Sequence, residues 1–274
     1  MIVVTGATGN VGQPLVRALL TAGERVTAVS RHGSGQLPAE VRQPRADLAD
    51  PKSLAPALDG ARALFLLTSG DFAAAEGALS GLLAVVRAGG VQRIVLLSSQ
   101  GVGTGDHPSG PEDAVRASGL GWTVLRAGGF HTNTLRWADA VRAERAVTAP
   151  FGDVALPTVD PADIAEVAAV TLRDPTHTGH VYELTGPGPV SPREQTAAIG
   201  EALGEPVRFV EQTREEAKAV MTRFMPERAV ESTLGILGSP SAGLRRVSPD
   251  VERLLGRVPR SYAEWAARNV AAFR

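Results

Sequence analysis

The run Thr5-Gly6-Ala7-Thr8-Gly9-Asn10-Val11-Gly12 constrains this chain more than any other stretch. Three glycines in the spacing Gly-x-x-Gly-x-x-Gly stand between an apolar segment, Ile2-Val3-Val4, and a segment of helical period through Leu15, Val16, Leu19 and Leu20. That order is strand, glycine turn, helix. Gly6 lets the backbone turn sharply out of the strand, Gly9 removes a Cβ from the face that would meet a phosphate, and Gly12 lets the helix pack close to the sheet. The helix N-terminus adds free N–H groups and the positive end of its dipole, which makes the turn an anion site. A dinucleotide pyrophosphate is its natural occupant, and Gly6, Thr8, Gly9, Asn10, Val11 and Gly12 are the residues expected to touch it.

Strand-like and helix-like segments alternate through the first half of the chain, the pattern of a parallel sheet with helices on both faces. Strands are expected at 2–5, 25–30, 41–45, 63–68, 92–98 and 122–126, with helices at 11–22, 51–58, 72–88 and 111–118. Prolines at Pro51 and Pro111 fall near a first helical turn, where a missing N–H costs nothing. After Arg126 the alternation weakens. Asp160-Pro161-Ala162-Asp163 starts a helix through Ile164, Val167 and Val170, and a strand follows at Val181 to Leu184. Ser191-Pro192-Arg193-Glu194 is a capping box opening a helix that ends near Gly204, and further helices are expected at 213–224, 226–236 and 262–273. The expected fold is α/β, a doubly wound Rossmann-type parallel sheet with a small, mainly helical C-terminal lobe. Residues 1–127 with 154–185 would complete the sheet, and 128–153 with 186–274 would form the lobe.

The chain of 274 residues carries a formal charge of −1 and no cysteine. Without a basic field it has no electrostatic footprint for nucleic acid, and without cysteine it has no disulfides, thiolate metal sites or cysteine nucleophile. The apolar runs 63–67 and 94–97 are strand-length, far short of the roughly 20 residues of a spanning helix, and Met1 leads straight into the first strand rather than into a secretory leader. A cytoplasmic protein with a small-molecule substrate and no membrane partner is expected; nothing in the sequence sets its oligomeric state.

The end of the second strand distinguishes the two common dinucleotides, because the adenosine ribose lies there. That strand ends in Ser30-Arg31-His32 with no acid nearby. The planar fork of Arg31 suits a 2′-phosphate and Ser30 can add a hydrogen bond, so NADPH is the expected cofactor. Asp47 and Leu48 are expected by the adenine. Leu67, Thr68, Ser98, Gly128 and Phe130 are expected along the remaining cofactor path.

With these residues in hand, the chain resembles the atypical short-chain dehydrogenases/reductases, and within them the NmrA-like and quinone-reductase-like NAD(P)H-binding proteins. The resemblance is carried by residues 5–12, Ala46-Asp47-Leu48-Ala49-Asp50, Ile94-Val95-Leu96-Leu97-Ser98-Ser99, the stretch 116–126, Phe130 with Asn133, and Asp160-Pro161-Ala162-Asp163-Ile164-Ala165. It implies a Rossmann fold with a C-terminal lobe over the nicotinamide. It does not fix the reaction, since such proteins include both reductases and redox sensors.

The chain lacks the Tyr-x-x-x-Lys pair with which most short-chain reductases protonate a carbonyl oxygen. Its only tyrosines are Tyr182 and Tyr262, its only lysines Lys52 and Lys218, and no tyrosine precedes a lysine by four. Three side chains could supply a proton instead. Ser99 ends a strand where a hydroxyl would stand beside the substrate, and His131 follows the strand 122–126. His107 lies in the loop after Ser99. Each also has a purely structural reading: capping for Ser99, loop hydrogen bonding for the two histidines. His177 and His180 have no metal-site spacing, Phe130 and Trp137 read as packing residues, and Glu112 and Asp113 read as first-turn helix acids. The expected function is NADPH-dependent reduction of a small electrophilic acceptor, a quinone, enone or ketone, by direct hydride transfer with Ser99 and His131 as catalytic candidates. The alternatives are a non-catalytic NADP(H) sensor of the NmrA type and a cofactor-bound cyclase or isomerase.

Overall fold

A computed structural model describes residues 1–31, 37–68 and 77–274. His32 and the beginning of the helix expected from residue 72 lie outside the described residues. The described strands are β1 (Ile2–Thr5), β2 (Val26–Val29), β3 (Ala63–Leu66), β4 (Arg93–Ser99), β5 (Gly121–Ala127), β6 (Ala146–Pro150), β7 (His180–Leu184) and β8 (Arg208–Gln212). The chain groups into two compact units, residues 1–127, 161–184 and 250–256 in the first and 128–160, 185–249 and 257–274 in the second.

The first unit is a six-stranded parallel sheet in the order β2-β1-β3-β4-β5-β7. Its central strands read as apolar runs because both faces are covered. Val3, Leu64, Ile94, Leu96 and Val124 pack in one core with Leu54 and Leu58 of the helix Pro51–Leu58 and with Leu82 and Val86 of the helix Ala78–Ala88. Successive strand residues point to opposite faces, so Ile2, Val4 and Phe65, all fully buried, belong to the other side. There the helices Gly12–Thr21 and Pro161–Arg173 pack on each other and on the strands.

The expected strand at 41–45 is reduced to two isolated parallel bridges, Thr27 with Arg42 and Ser30 with Arg45. Pro44 stands between them without an N–H to donate, which breaks the ladder at the sheet edge. The opposite edge is covered. Asp250 opens the short helix Asp250–Leu255, and its Oδ2 accepts the Glu183 N–H of β7 at 2.9 Å, which draws 250–256 into the sheet unit although it was expected in the lobe. Residues 154–160, expected with the sheet, belong instead to the second unit, where the Val159 carbonyl accepts from the His131 N–H.

The second unit is mainly helical around a two-stranded parallel ladder of β6 and β8 that was not expected from the sequence. Its core gathers Trp137, Val141, Val147, Ile199, Tyr262, Trp265 and Phe273. Capping boxes at Ser191/Glu194, Thr213/Glu216 and Ser261/Glu264 start the helices Pro192–Leu203, Arg214–Met221 and Tyr262–Arg268.

Candidate active site in the sheet unit

Between β1 and β3 the sheet order reverses direction, and in open α/β sheets ligands bind beyond the strand ends at such a switch point. Gly6 sits there at φ +61°, a conformation that disfavours any side chain. A Cβ on Gly12 would lie 2.1 Å from the Gly6 carbonyl oxygen, so only glycine lets the helix start where it does. Thr5 fastens the two strand ends together: its hydroxyl donates to the Phe65 carbonyl at 3.0 Å and accepts the Leu67 N–H at 2.9 Å. Leu67 in turn packs against Gly6, its Cδ2 within 3.2 Å of where a Cβ would stand.

The helix that begins at Gly12 has no side-chain cap and no acid in its first turn. Gln13 N–H turns back onto the Gly9 carbonyl at 3.1 Å and Pro14 has no N–H, so what the helix start offers an anion is chiefly the positive end of its dipole, with no acid of its own first turn against it. Thr8 contributes its backbone, whose carbonyl accepts from Gln13 Nε2 at 2.8 Å, and Gly9 N–H closes the turn onto the Gly6 carbonyl at 3.0 Å. Gly9 is exposed, as are Asn10 and, at the end of β2, Arg31. Asp47 is exposed in an Asx turn, its Oδ1 accepting the Ala49 N–H, while Leu48 packs against the core.

A cleft of about 440 Å³ opens beyond the ends of β3 and β4, lined by Thr68, Ser98, Ser99, Val102, His107 and Pro111 among others. That size suits a small ligand. Alternation along β4 sends Ser98 and Ser99 to opposite faces, and their partners differ accordingly. Ser98 pairs in register with Arg126 of β5, and both reach Glu112: Ser98 Oγ donates to Oε1 at 2.8 Å, and Arg126 donates through Nε to Oε1 at 2.9 Å and through Nη2 to Oε2 at 2.7 Å. Arg116 adds a contact to Oε2 at 3.1 Å. Glu112 is only 1% exposed. Burial pushes its carboxyl up, and the hydrogen bonds from Arg126 and Ser98 with the nearby guanidinium charges outweigh that, so its pKa is lowered on balance. Glu112 stands in the first turn of the helix Gly110–Ala117, as expected, and the parallel register of β4 and β5 also makes it the hub of a buried network that its residue type alone did not announce.

Ser99 ends β4 and caps the helix Gln100–Thr104, its Oγ accepting the Gly101 N–H at 3.1 Å. The same oxygen lies 2.9 Å from His107 Nδ1. His107 is exposed, and its own N–H donates to the Gly101 carbonyl at 2.9 Å.

Of the remaining expected site residues, Gly128, Phe130 and His131 belong to the second unit. Phe130 is half-buried and bridges to Val159. His131 is 1% exposed, with Nε2 3.1 Å from the Thr158 carbonyl and its ring edge-on to Tyr262 and Trp265. That is the environment of a packed core histidine, without the solvent access of His107. Both tyrosine hydroxyls are engaged locally. Burial raises the pKa of Tyr262, whose hydroxyl donates to Thr134 Oγ1 at 2.7 Å. Burial and then the charges of Asp250 and Asp174 raise that of Tyr182, whose oxygen is 2.8 Å from His177 Nδ1.

A switch-point glycine cradle on a parallel doubly wound sheet defines a dinucleotide-binding protein. The chain belongs to the NAD(P)H-binding family, whose model matches residues 6–175, as the resemblance to NmrA-like atypical short-chain reductases implied. It is 33% identical to a (4-alkanoyl-5-oxo-2,5-dihydrofuran-3-yl)methyl phosphate reductase of Streptomyces griseus over 100% of this chain and 99% of that protein. It is also 33% identical to an NAD(P)H azoreductase of Xenophilus azovorans, again over 100% of this chain and 99% of the relative. The fold matches the crystal structure of the quinone oxidoreductase QOR2 of Escherichia coli complexed with NADPH at a TM-score of 0.79, with 24% identity and coverage of 98% of this chain and 99% of that one.

Proposed function

We propose that this protein is an NADPH-dependent reductase that transfers hydride directly to a small, electron-poor organic acceptor such as a quinone or a conjugated enone. The observation that carries the reading is the cradle and the cleft lying together in one unit, at the ends of β1, β3 and β4. In it, Gly6, Gly9, Gly12 and the N-terminal end of the following helix would hold the pyrophosphate. Arg31 and Ser30 would receive the 2′-phosphate, Asp47 and Leu48 the adenine, and Leu67, Thr68 and Ser98 the path toward the nicotinamide. The cofactor supplies the hydride.

The relatives support the acceptor class. The ring double bond in the name of the Streptomyces griseus protein's substrate is conjugated to two carbonyls, and an azo bond is likewise an unsaturated acceptor. Such acceptors spread the developing negative charge, so they need less acid assistance than an isolated ketone. This fits a chain without a Tyr-x-x-x-Lys pair. Loss of NADPH absorbance on addition of quinones, enones, azo dyes and simple ketones to the purified protein tests the reading. Turnover is expected with conjugated acceptors and not with simple ketones.

A further inference from the structure

We propose that Ser99 and His107 form a proton relay: His107 Nδ1–H donates to Ser99 Oγ, and the Ser99 hydroxyl donates in turn to the acceptor oxygen in the cleft. This rests on the reductase reading and adds to it the source of the proton. A hydroxyl has one proton and two lone pairs. In Ser99 one lone pair accepts the Gly101 N–H at 3.1 Å, and the ring nitrogen of His107 stands 2.9 Å away on the same oxygen. With Nδ1 protonated, both lone pairs are taken and the hydroxyl proton is left for a third partner. Ser99 and His107 both line the cleft, so that partner is a ligand there.

The surrounding backbone is built for this pairing. The His107 N–H is tied to the Gly101 carbonyl, and a Cβ on Gly101 would fall 2.7 Å from His107 Nδ1. The glycine admits the ring to Ser99. When hydride reaches the electrophilic carbon of the acceptor, the electron pair of its double bond shifts to the conjugated oxygen. That oxygen takes the Ser99 hydroxyl proton, Ser99 Oγ takes the His107 Nδ1 proton, and the exposed ring takes a replacement proton from solvent. The sum is one hydride and one proton added to the acceptor, with His107 and Ser99 unchanged.

Two readouts test the relay. In cofactor-free protein, nitrogen NMR of the His107 ring should change on Ser99→Ala and on Gly101→Ala; a ring signal indifferent to both overturns the pairing. In the steady state, His107→Gln should lower kcat on the order of a hundredfold, the general-acid scale, while NADPH affinity stays unchanged. His107→Ala should recover rate with added imidazole, and Gly101→Ala should reproduce the loss with both relay residues still present. An unchanged kcat in His107→Gln overturns the relay and leaves the reductase reading standing. A wild-type protein that binds NADPH but reduces no acceptor overturns the reductase reading and the relay with it.

Discussion

Glu112 and Arg126 close a two-point ion pair, Nε to Oε1 at 2.9 Å and Nη2 to Oε2 at 2.7 Å, beneath the end of β4 that carries Ser98 and Ser99. The pair ties the helix Gly110–Ala117 to β5, and the Ser98 hydroxyl joins β4 to the same carboxylate. The loop bearing His107 is therefore held between two anchored elements.

Removing the charge from this hub leaves Arg126 without its buried counterion. Glu112→Gln should cost about 3 kcal/mol of stability, the low end of the range for breaking a buried pair. Because the native carboxyl lies below its ordinary 4.5, the pair's contribution is complete above about that pH and is lost as pH falls through the lowered value. Denaturant titrations across pH should show a constant gap between wild type and variant above that point, narrowing in more acidic solution.

The glycines of the cradle should separate folding from binding. A Cβ on Gly12 meets backbone at 2.1 Å, whereas one on Gly9 meets only the Gly6 oxygen at 3.3 Å. Gly12→Ala should lower stability by about 3 kcal/mol through overpacking. Gly9→Ala should stay folded and weaken NADPH binding at least tenfold, because its Cβ points where the pyrophosphate would approach. Calorimetric melting alongside NADPH fluorescence titration reads both.

Arg31 should select between the dinucleotides. A charge-assisted hydrogen bond contributes about 1.5–3 kcal/mol, so Arg31→Ala should raise the KM for NADPH roughly tenfold or more with that for NADH little changed. Parallel increases in both constants would remove Arg31 from 2′-phosphate recognition.

His131 should matter to stability rather than turnover. Its ring centroid lies 5.3 Å from that of Tyr262 and 6.2 Å from that of Trp265. His131→Ala leaves a cavity there and should cost roughly 2–4 kcal/mol. The kcat of the protein that remains folded should be close to wild type, as measured well below the variant's melting temperature.

The cradle and the central strands were legible in the sequence because their signals are local. Glycine spacing, an apolar run and helical period all fall within Ile2 to Leu20, and β4 and β5 lie within a residue of their expected bounds. The edge segment at 41–45 was expected as a strand from the alternating pattern, and it is cut to isolated bridges because Pro44 removes the donor that would complete it. The β6–β8 ladder pairs residues about sixty positions apart, and neither Ala146–Pro150 nor Arg208–Gln212 carries strict alternation. The roles of Glu112 and His107 depend on what the register of β4 and the turn at Gly101 place beside them. Sequence spacing alone offered Glu112 as a helix-start acid and His107 as one loop histidine among several. The surroundings of the two histidines were not legible for different reasons: His131 is enclosed by Tyr262 and Trp265, which follow it by more than a hundred residues, and His107 meets Ser99 through the turn that Gly101 makes.

Hydride transfer without a tyrosine acid is read out by acceptor-dependent oxidation of NADPH by the purified protein. The protein is first titrated with NADPH by fluorescence and then challenged with quinones, conjugated enones and simple ketones. Saturable NADPH binding is expected, with oxidation that depends on the conjugated acceptors. Tight binding with no oxidation across the whole panel would contradict it and point to a protein that reads its cofactor without consuming it.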